Sequence, residues 1–179
     1  MSMVLSREVL SREEALQKVS TEAALMGVFC KTDAGFSHVM KMVMQYEDTD
    51  FSGFVYHANY LKFAERGRSN FLRLAGVEHS ALLEMDPPLA FVVGRMEMDF
   101  VAPARIDDCL LVETVFTQFR GGRLVAEQSI TREADSQPIW QAHILAACVD
   151  LHGRAKRMPK AMLADLTPYQ GSPIIKAAG

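Results

Sequence analysis

Residues 45–60 decide the fold and read Gln-Tyr-Glu-Asp-Thr-Asp-Phe-Ser-Gly-Phe-Val-Tyr-His-Ala-Asn-Tyr. This acidic turn with a flexible Gly53 runs directly into the longest amphipathic stretch of the chain, which predicts a helix over about 58–75. Asp50 therefore lies on the approach to the helix and His57 at its mouth, where unpaired backbone N–H groups and the positive end of the helix dipole favour negative charge. A carboxylate and a histidine beside the N-terminus of a helix are the groups that an acyl-transfer transition state needs.

The same residues also have a plain structural interpretation. Acidic turns with a glycine commonly precede helices as N-caps, so Asp50 could be a capping residue. His57 could likewise be a helix-start histidine that bonds a loop carbonyl. The spacing by itself leaves these interpretations open. Ser52 and Ser69 lack a histidine and an acid at recognisable spacing, so a serine nucleophile is not predicted.

A longer pattern of residues surrounds this turn. It includes Tyr46-Glu47-Asp48-Thr49-Asp50, Gly53, the run from Val55 to Tyr60, Phe63, Glu65-Arg66 and Arg68, and farther on the run from Ala90 to Val93, Phe100, Ala102-Pro103-Ala104-Arg105, Asp107-Asp108, Arg120-Gly121, Cys148-Val149-Asp150 and Pro159-Lys160. The pattern covers about residues 38–165 and resembles the hotdog-fold acyl-CoA thioesterases. Within them it is most similar to the branch that includes the 4-hydroxybenzoyl-CoA thioesterases and the Tol-Pal system-associated acyl-CoA thioesterase. Phe54 departs from the pattern, because the family more often has a smaller aliphatic residue there.

The resemblance implies a thioester hydrolase that needs no metal and no redox cofactor, since coenzyme A is part of the substrate. The aspartate that matches Asp50 either attacks the thioester carbonyl or activates water as a general base, and the sequence leaves both roles open. His57 would orient the thioester or polarise its carbonyl oxygen, and the candidate oxyanion donors are the backbone N–H groups of His57, Ala58 and Asn59. Tyr56 could hydrogen-bond near the acyl carbonyl, although an aromatic wall of the pocket is the simpler role.

Two groups of basic residues could bind the phosphates of coenzyme A. One is the run after the last predicted strand, with Arg154, Lys156, Arg157 and Lys160. The other is the polar side of the long helix, with Arg66, Arg68 and Arg73. Either group could instead be an ordinary solvated face. We expect the C-terminal run to bind the phosphates.

Alternating and apolar runs predict five strands, at about 38–45, 89–103, 108–119, 123–133 and 138–150, with hairpin turns at 120–123 and 135–138. A short second helix is expected at 77–85. These elements indicate the α+β class, and with the resemblance they indicate a hotdog fold, an antiparallel five-stranded sheet wrapped round one long central helix. The run 139–149 is apolar on both faces and should lie at the centre of the assembly. Gly67 predicts a close approach of the helix to a strand surface, which would offset a helix penalty of about 1 kcal/mol.

Three segments divide the chain. Residues 36–165 form the predicted hotdog domain, and residues 166–179 form a C-terminal tail. Residues 1–35 are an extension outside the resemblance, partly helical or disordered, in which Ser11 and Glu14 form a predicted capping box. We assign no chemistry to the extension, and a translation start near Met40 or Met42 is an open alternative.

Composition bounds the class of protein. The chain of 179 residues is 49% apolar and 23% charged, which fits one soluble globular domain, and its net charge of −3 argues against nucleic-acid binding. Cys30, Cys109 and Cys148 are scattered and odd in number, which favours reduced thiols in the cytoplasm over disulfides or a zinc site. No run approaches the roughly 18 apolar residues of a membrane span, and the N-terminus lacks a signal sequence.

Bare strand edges predict self-association. A small sheet round one helix exposes its edges, and pairing two such sheets removes them, so we expect a homodimer or tetramer with sites at the subunit interface. Two other functions are alternatives to acyl-CoA hydrolysis. A hotdog enoyl-thioester hydratase is disfavoured because the Asp-x-Asn-x-x-His arrangement of those enzymes is missing between Asp50 and His57. A weakly catalytic scaffold that binds acyl-CoA or acyl carrier protein near envelope or lipid-synthesis enzymes stays open.

Overall fold

Seven strands form one sheet in a computed structural model of the chain, which describes residues 9–11, 14, 26–33 and 35–175. The strands are β1 (Val9–Leu10), β2 (Val28–Thr32), β3 (Gly35–Val43), β4 (Ala90–Phe100), β5 (Cys109–Arg120), β6 (Arg123–Arg132) and β7 (Pro138–Val149). The helices are α1 (Asn59–Leu74), α2 (His79–Leu83) and α3 (Lys160–Leu166), with single 3-10 turns at Tyr46–Asp48 and Thr167–Tyr169. The predicted α+β class and the one long helix are confirmed.

The order of the strands is β1-β2-β3-β5-β6-β7-β4, and every neighbouring pair is antiparallel except β1 and β2. The five predicted strands are found as β3 to β7. The sheet has two strands more than predicted, because β2 and the two-residue β1 add to the β3 edge. β7 lies between β6 and β4, so both of its edges are paired, as its two apolar faces indicate. β4 ends the sheet on the other side.

Helix α1 packs its apolar side onto the sheet. Its buried positions follow helical spacing and are Asn59, Tyr60, Phe63, Ala64, Gly67, Arg68, Phe71 and Leu72. The close approach predicted at Gly67 is confirmed, because a Cβ there would lie 2.7 Å from Thr114 Oγ1 on β5. The helix ends at Leu74, and Gly76 just beyond it has a positive φ of 92°, which accompanies a bond from the Val77 amide back to the Leu72 carbonyl at 2.8 Å.

A buried polar network fixes α1 on the sheet. The Gln128 side chain on β6 donates to the Ala64 carbonyl and to Thr114 Oγ1, both at 2.8 Å. Arg68 in turn donates to Gln128 Oε1 at 2.6 Å and pairs with Glu65 at 2.5 Å. Because each buried polar group has a partner, the network holds the helix in one register on the strands.

Residues outside the predicted 36–165 domain also contact it. The predicted capping box is confirmed, since the Ser11 amide donates to the Glu14 carboxylate at 3.0 Å and the Glu14 amide donates to the Ser11 hydroxyl at 3.3 Å; the rest of that expected helix lies outside the described residues. Near the other end, the amides of Ile174 and Ile175 donate to the Glu127 carboxylate at 2.7 and 2.8 Å. The domain boundaries themselves stay a prediction.

Two negative expectations concern the described part of the chain. The three cysteines all lie within it and form no disulfide. None of the described helices combines the length and apolar character that crossing a membrane requires.

Candidate active site

Asp50 begins a tight turn that returns the chain toward α1. Its amide donates to the Phe54 carbonyl at 2.9 Å, and the Gly53 amide donates to the Asp50 carbonyl at 3.0 Å. Gly53 has a φ of 76°, the left-handed region that favours glycine. The sequence therefore needs a glycine at this point to place Asp50 and Phe54 side by side.

The Asp50 carboxylate is solvent-exposed and held through one oxygen. Its Oδ1 accepts the Ser52 amide at 2.8 Å and also the Ser52 hydroxyl. No hydrogen bond or ion pair among the described residues uses Oδ2. The Ser52 hydroxyl, followed by the Ser52 amide, lowers the pKa of Asp50 below its ordinary value, and the attraction of His57 adds to this effect. Asp50 is consequently an ionised carboxylate with one free oxygen.

His57 lies exposed in the turn before α1, against two aromatic rings. Its imidazole is 4.5 Å from the Tyr56 ring and meets the Phe100 ring edge-on at 6.3 Å, measured between ring centroids. Within the described residues the imidazole makes no hydrogen bond, so no loop carbonyl occupies it. Tyr56 thus contributes an aromatic surface beside His57, and its expected contact with an acyl carbonyl stays a prediction.

Of the three backbone N–H groups that were predicted as oxyanion donors at the N-terminus of α1, two are free of hydrogen bonds to the described residues. Ala58 is the N-cap and receives no side-chain cap, and the amides of His57 and Ala58 have no acceptor among the described residues. The Asn59 amide, by contrast, already donates to the Tyr56 carbonyl at 2.8 Å. Of the three predicted oxyanion donors, only His57 and Ala58 are therefore available without a rearrangement.

The Asn59 side chain has a role that sequence reasoning missed. Its Nδ2 donates to the Asp48 carbonyl at 3.0 Å, and the same carbonyl accepts the Tyr56 amide at 2.8 Å. Asn59 is buried, and its bond to Asp48 is partly buried. The two bonds to the Asp48 carbonyl join the start of α1 to the segment that carries Asp50.

The loop at 101–108 supports the turn from the other side. The Ala104 amide donates to the Tyr60 hydroxyl at 3.1 Å, while the Ala104 carbonyl accepts the Val55 amide at 2.8 Å. Burial raises the pKa of Tyr60, so this phenol stays protonated. Phe54, which departs from the family pattern, lies under the Arg105 guanidinium, 4.5 Å from the centre of its ring.

The predicted phosphate-binding residues do not all line one cavity. Lys156 and Arg157 line a cavity of about 330 Å³ beside Leu89, and Lys156 pairs with Asp150 at 3.3 Å. Lys160 begins α3 and lines a separate open cavity of about 510 Å³, and Arg154 is exposed on the turn before Lys156. Lys156 and Arg157 therefore line a different cavity from Lys160, and whether the group binds phosphates stays a prediction.

Two arginines that were not predicted lie near Lys156. The hairpin turn between β5 and β6 packs directly on the segment 156–158: the Met158 amide donates to the Gly121 carbonyl at 2.8 Å, and a Cβ on Gly122 would lie 1.9 Å from the Lys156 carbonyl oxygen. Arg120 and Arg123 flank this turn and are exposed. The pair of arginines round Gly121-Gly122 is the sequence signal for this basic surface, although the same four residues also have the pattern of a hairpin turn.

Comparison with known proteins decides the family of the chain. Residues 44–166 match the model of the thioesterase-like superfamily. The chain belongs to this superfamily. The Escherichia coli O6:H1 acyl-CoA thioester hydrolase YbgC is 41% identical over 121 residues, which are 67% of this chain and 88% of the relative.

Solved structures of the superfamily share the fold. A probable thioesterase from Bartonella henselae is 38% identical with a TM-score of 0.65, covering 69% of this chain and 99% of that one. A 4-hydroxybenzoyl-CoA thioesterase mutant complexed with 4-hydroxybenzoyl-CoA has a TM-score of 0.66 at 20% identity, over 72% and 97% of the two chains, which bears on the fold alone. The resemblance to hotdog thioesterases is confirmed.

In this thioesterase-like chain the two candidate regions lie at opposite ends of β4. His57 contacts Phe100, the last residue of the strand, whereas Lys156 and Arg157 lie beside Leu89, which precedes its first residue. A strand of 11 residues spans roughly 34 Å at about 3.4 Å per residue. Within one chain, the basic residues are therefore far from the Asp50 turn.

Proposed function

We propose that this protein hydrolyses an acyl-CoA thioester with water to give a free acid and coenzyme A, with Asp50 as the reacting carboxylate. The observation that supports the proposal most strongly is the pairing of an ionised carboxylate that has a free oxygen with two unoccupied amides at a helix mouth. The first supplies a nucleophile or general base, and the second supplies donors for the oxygen that becomes negative as the carbonyl carbon turns tetrahedral.

Two routes use the same atoms. In one, Asp50 Oδ2 attacks the carbonyl carbon, coenzyme A leaves as the thiolate, and water then hydrolyses the mixed anhydride. In the other, Oδ2 takes a proton from a water molecule that attacks the carbonyl carbon directly, and the tetrahedral intermediate then breaks its C–S bond to release the coenzyme A thiolate and the acid. In both, the amides of His57 and Ala58 donate to the carbonyl oxygen, and the imidazole of His57 orients the thioester.

The bare edge of β4 supports a homodimer with shared sites. The edge away from β7 has no partner among the described residues, and Val93 and Phe100 on this strand are about half exposed, at 46% and 53%. A two-fold pairing of β4 with its copy is antiparallel, so the start of one β4 lies beside the end of the other. Lys156 and Arg157 of one subunit would then approach the Asp50 turn of the second subunit, where they could bind the phosphates of coenzyme A.

The remaining finer expectations stay predictions. They are a tetramer as an alternative assembly, an acyl carrier protein or lipid-synthesis enzyme as a partner, the absence of a cofactor, and a cytoplasmic location.

The test follows thiol release from a panel of acyl-CoAs that vary in chain length and aromaticity. Asp50→Asn should lower kcat at least about a hundredfold, because an amide is neither a base nor a nucleophile here. Asp165→Asn, an exposed aspartate on α3, is the matched control and should leave the rate unchanged. Turnover by Asp50→Asn at the wild-type rate would overturn the proposal, and tight acyl-CoA binding without thiol release by the wild type would favour the scaffold function instead.

A further inference from the structure

Two turns of this chain have the same backbone construction. In the first, the Asp50 amide donates to the Phe54 carbonyl at 2.9 Å and the Gly53 amide to the Asp50 carbonyl at 3.0 Å. In the second, the Asp150 amide donates to the Arg154 carbonyl at 2.9 Å and the Gly153 amide to the Asp150 carbonyl at 2.9 Å. Both glycines have a φ of 76°. The two turns can therefore be compared directly, because their backbones match and only their side-chain contacts can differ.

The aspartate side chain also has the same first contact in both turns. Asp50 Oδ1 accepts the Ser52 amide at 2.8 Å, and Asp150 Oδ1 accepts the His152 amide at 3.0 Å. This bond from the residue two positions on is an ordinary Asx turn. It requires only a backbone N–H, which almost any residue supplies.

The two carboxylates differ in their remaining contacts. Asp150 Oδ1 accepts a second amide, from Arg154 at 2.9 Å, and its Oδ2 pairs with Lys156 at 3.3 Å, so both oxygens are occupied. Among the described residues, Asp50 has no cation at hydrogen-bond distance and receives instead the hydroxyl of Ser52, again on Oδ1. The turn forms at Asp150 without such a hydroxyl, so the fold does not require one at position 52.

We propose that Ser52 is a positioning residue for the reaction: its hydroxyl holds Oδ1 of Asp50 and leaves Oδ2 as the oxygen that meets the thioester or the attacking water. This inference rests on the proposed function of Asp50. Two donors on one oxygen stop rotation of the carboxylate, which would otherwise exchange Oδ1 and Oδ2 on an exposed side chain. A fixed reacting atom lowers the entropy cost of reaching the transition state.

The hydroxyl has a second, electrostatic effect. Hydrogen bonds to a carboxylate favour its charged form, and the Ser52 hydroxyl is the largest cause that lowers the pKa of Asp50. Among the described residues, His57 attracts the Asp50 carboxylate, Tyr56 packs against His57, and Arg105 lies over Phe54. Asp48 is two positions earlier in the sequence. Removing the hydroxyl therefore leaves the remaining groups in place and raises the pKa of this carboxyl.

Ser52→Ala and Ser52→Thr form a matched pair of variants. Alanine keeps the backbone N–H bond of the turn and removes only the hydroxyl, whereas threonine keeps both. We expect Ser52→Ala to lower kcat about 3- to 10-fold, the effect of one lost hydrogen bond, with little change in KM. The acid limb of its kcat/KM profile should move to higher pH, because Asp50 then binds a proton more readily. Ser52→Thr should have the kcat and the acid limb of the wild type.

The outcomes separate this inference from the proposed function. Asp50→Asn is measured beside the two serine variants, with the melting temperature of each. If Asp50→Asn is inactive while Ser52→Ala has the kcat and the pH profile of the wild type, the role of Ser52 is wrong and the proposed function stands. If Asp50→Asn retains wild-type turnover, the proposed function itself fails. A loss of activity in Ser52→Ala that Ser52→Thr does not rescue, with an unmoved acid limb, would mean a merely structural role.

Discussion

The side chain of Asn59 donates to the backbone carbonyl of Asp48 across 3.0 Å, and this bond joins the first turn of α1 to the segment that carries the candidate catalytic aspartate. The two residues are 11 positions apart and the bond is partly buried. The bond therefore fixes the segment that carries Asp50 relative to the N-terminus of α1. A reaction between the Asp50 carboxylate and a carbonyl held by the helix amides needs this fixed geometry.

Replacing Asn59 with alanine tests this connection. We expect Asn59→Ala to lower kcat about ten- to a hundredfold, because a misplaced carboxylate loses its alignment with the helix amides. Unfolding should become easier by only about 1–2 kcal/mol, the cost of one lost bond that leaves a carbonyl with a single donor. Steady-state kinetics and urea denaturation measure the two effects. Asn70→Ala, on the same helix but bonded to Arg73, should retain wild-type kcat.

A subunit-mixing experiment tests the shared site. A heterodimer of Asp50→Asn with the double variant Lys156→Ala and Arg157→Ala contains one site with all native groups if the basic residues act across the interface. Activity at low acyl-CoA concentration should then recover to about half of wild type in the mixed dimers, because one site of the two is native. No recovery, with heterodimers demonstrated by native mass spectrometry, would place the basic residues and Asp50 in the same subunit's site or in unrelated ones.

Buried His38 predicts a loss of stability in weak acid. Its Nε2 lies 2.7 Å from the Met26 carbonyl, its Nδ1 has no hydrogen-bond partner in the described part of the chain, and burial lowers its pKa to about 4. An unfolded histidine has a pKa of about 6.5, so between pH 6.5 and 4 only the unfolded chain binds the proton. The free energy of unfolding should fall by about 3 kcal/mol over this window and level off below it.

Urea titrations at pH 7 and pH 4.5 measure this dependence. His38→Gln removes the titrating group and retains a donor for Met26, so the difference in pH slope between variant and wild type isolates His38 from the carboxylates. Equal slopes in the two proteins would contradict the prediction.

Gly67 predicts the consequence of close helix packing. A Cβ at this position would lie 2.7 Å from Thr114 Oγ1 and 3.0 Å from Gln128 Nε2, both in the buried network. Gly67→Ala should therefore destabilise the protein by about 1–3 kcal/mol despite the better helix propensity of alanine. Gly94→Ala is the comparison, since the nearest atom to its Cβ is the Leu145 carbonyl oxygen at 3.8 Å. Thermal unfolding that ranks Gly94→Ala below Gly67→Ala would contradict the packing account.

Sequence patterns located most of the fold because they reflect local periodicity. Strands β3 to β7 follow alternating or apolar runs, and the helix predicted at 58–75 is found at Asn59–Leu74. β2 was missed because its five residues, Val28–Thr32, are too few to establish a period. The short β1 was missed for the same reason.

In the candidate site, too, some features follow from the local sequence and others depend on the folded chain. Asp50, His57 and the helix mouth are neighbours in the sequence, so the turn and the helix start place them together. The separation of Lys160 from Lys156 depends instead on where α3 begins, and the roles of Ser52 and Asn59 depend on bonds that no spacing rule predicts. The repeated Asp-x-x-Gly motif at Asp50 and Asp150 was the available signal for the paired turns.

The backbone conformation of Gly53 determines which chirality a residue at this position can have. A Cβ built on this residue meets no atom within 4 Å, so its achiral backbone is needed only because of its φ of 76°. An L-alanine there would strain the turn by about 1–2 kcal/mol. D-alanine, introduced by chemical ligation, prefers this half of the Ramachandran map, so its backbone should adopt this φ without that strain. The loop that presents the reacting carboxylate would thus accept a mirror-image residue more readily than its natural counterpart.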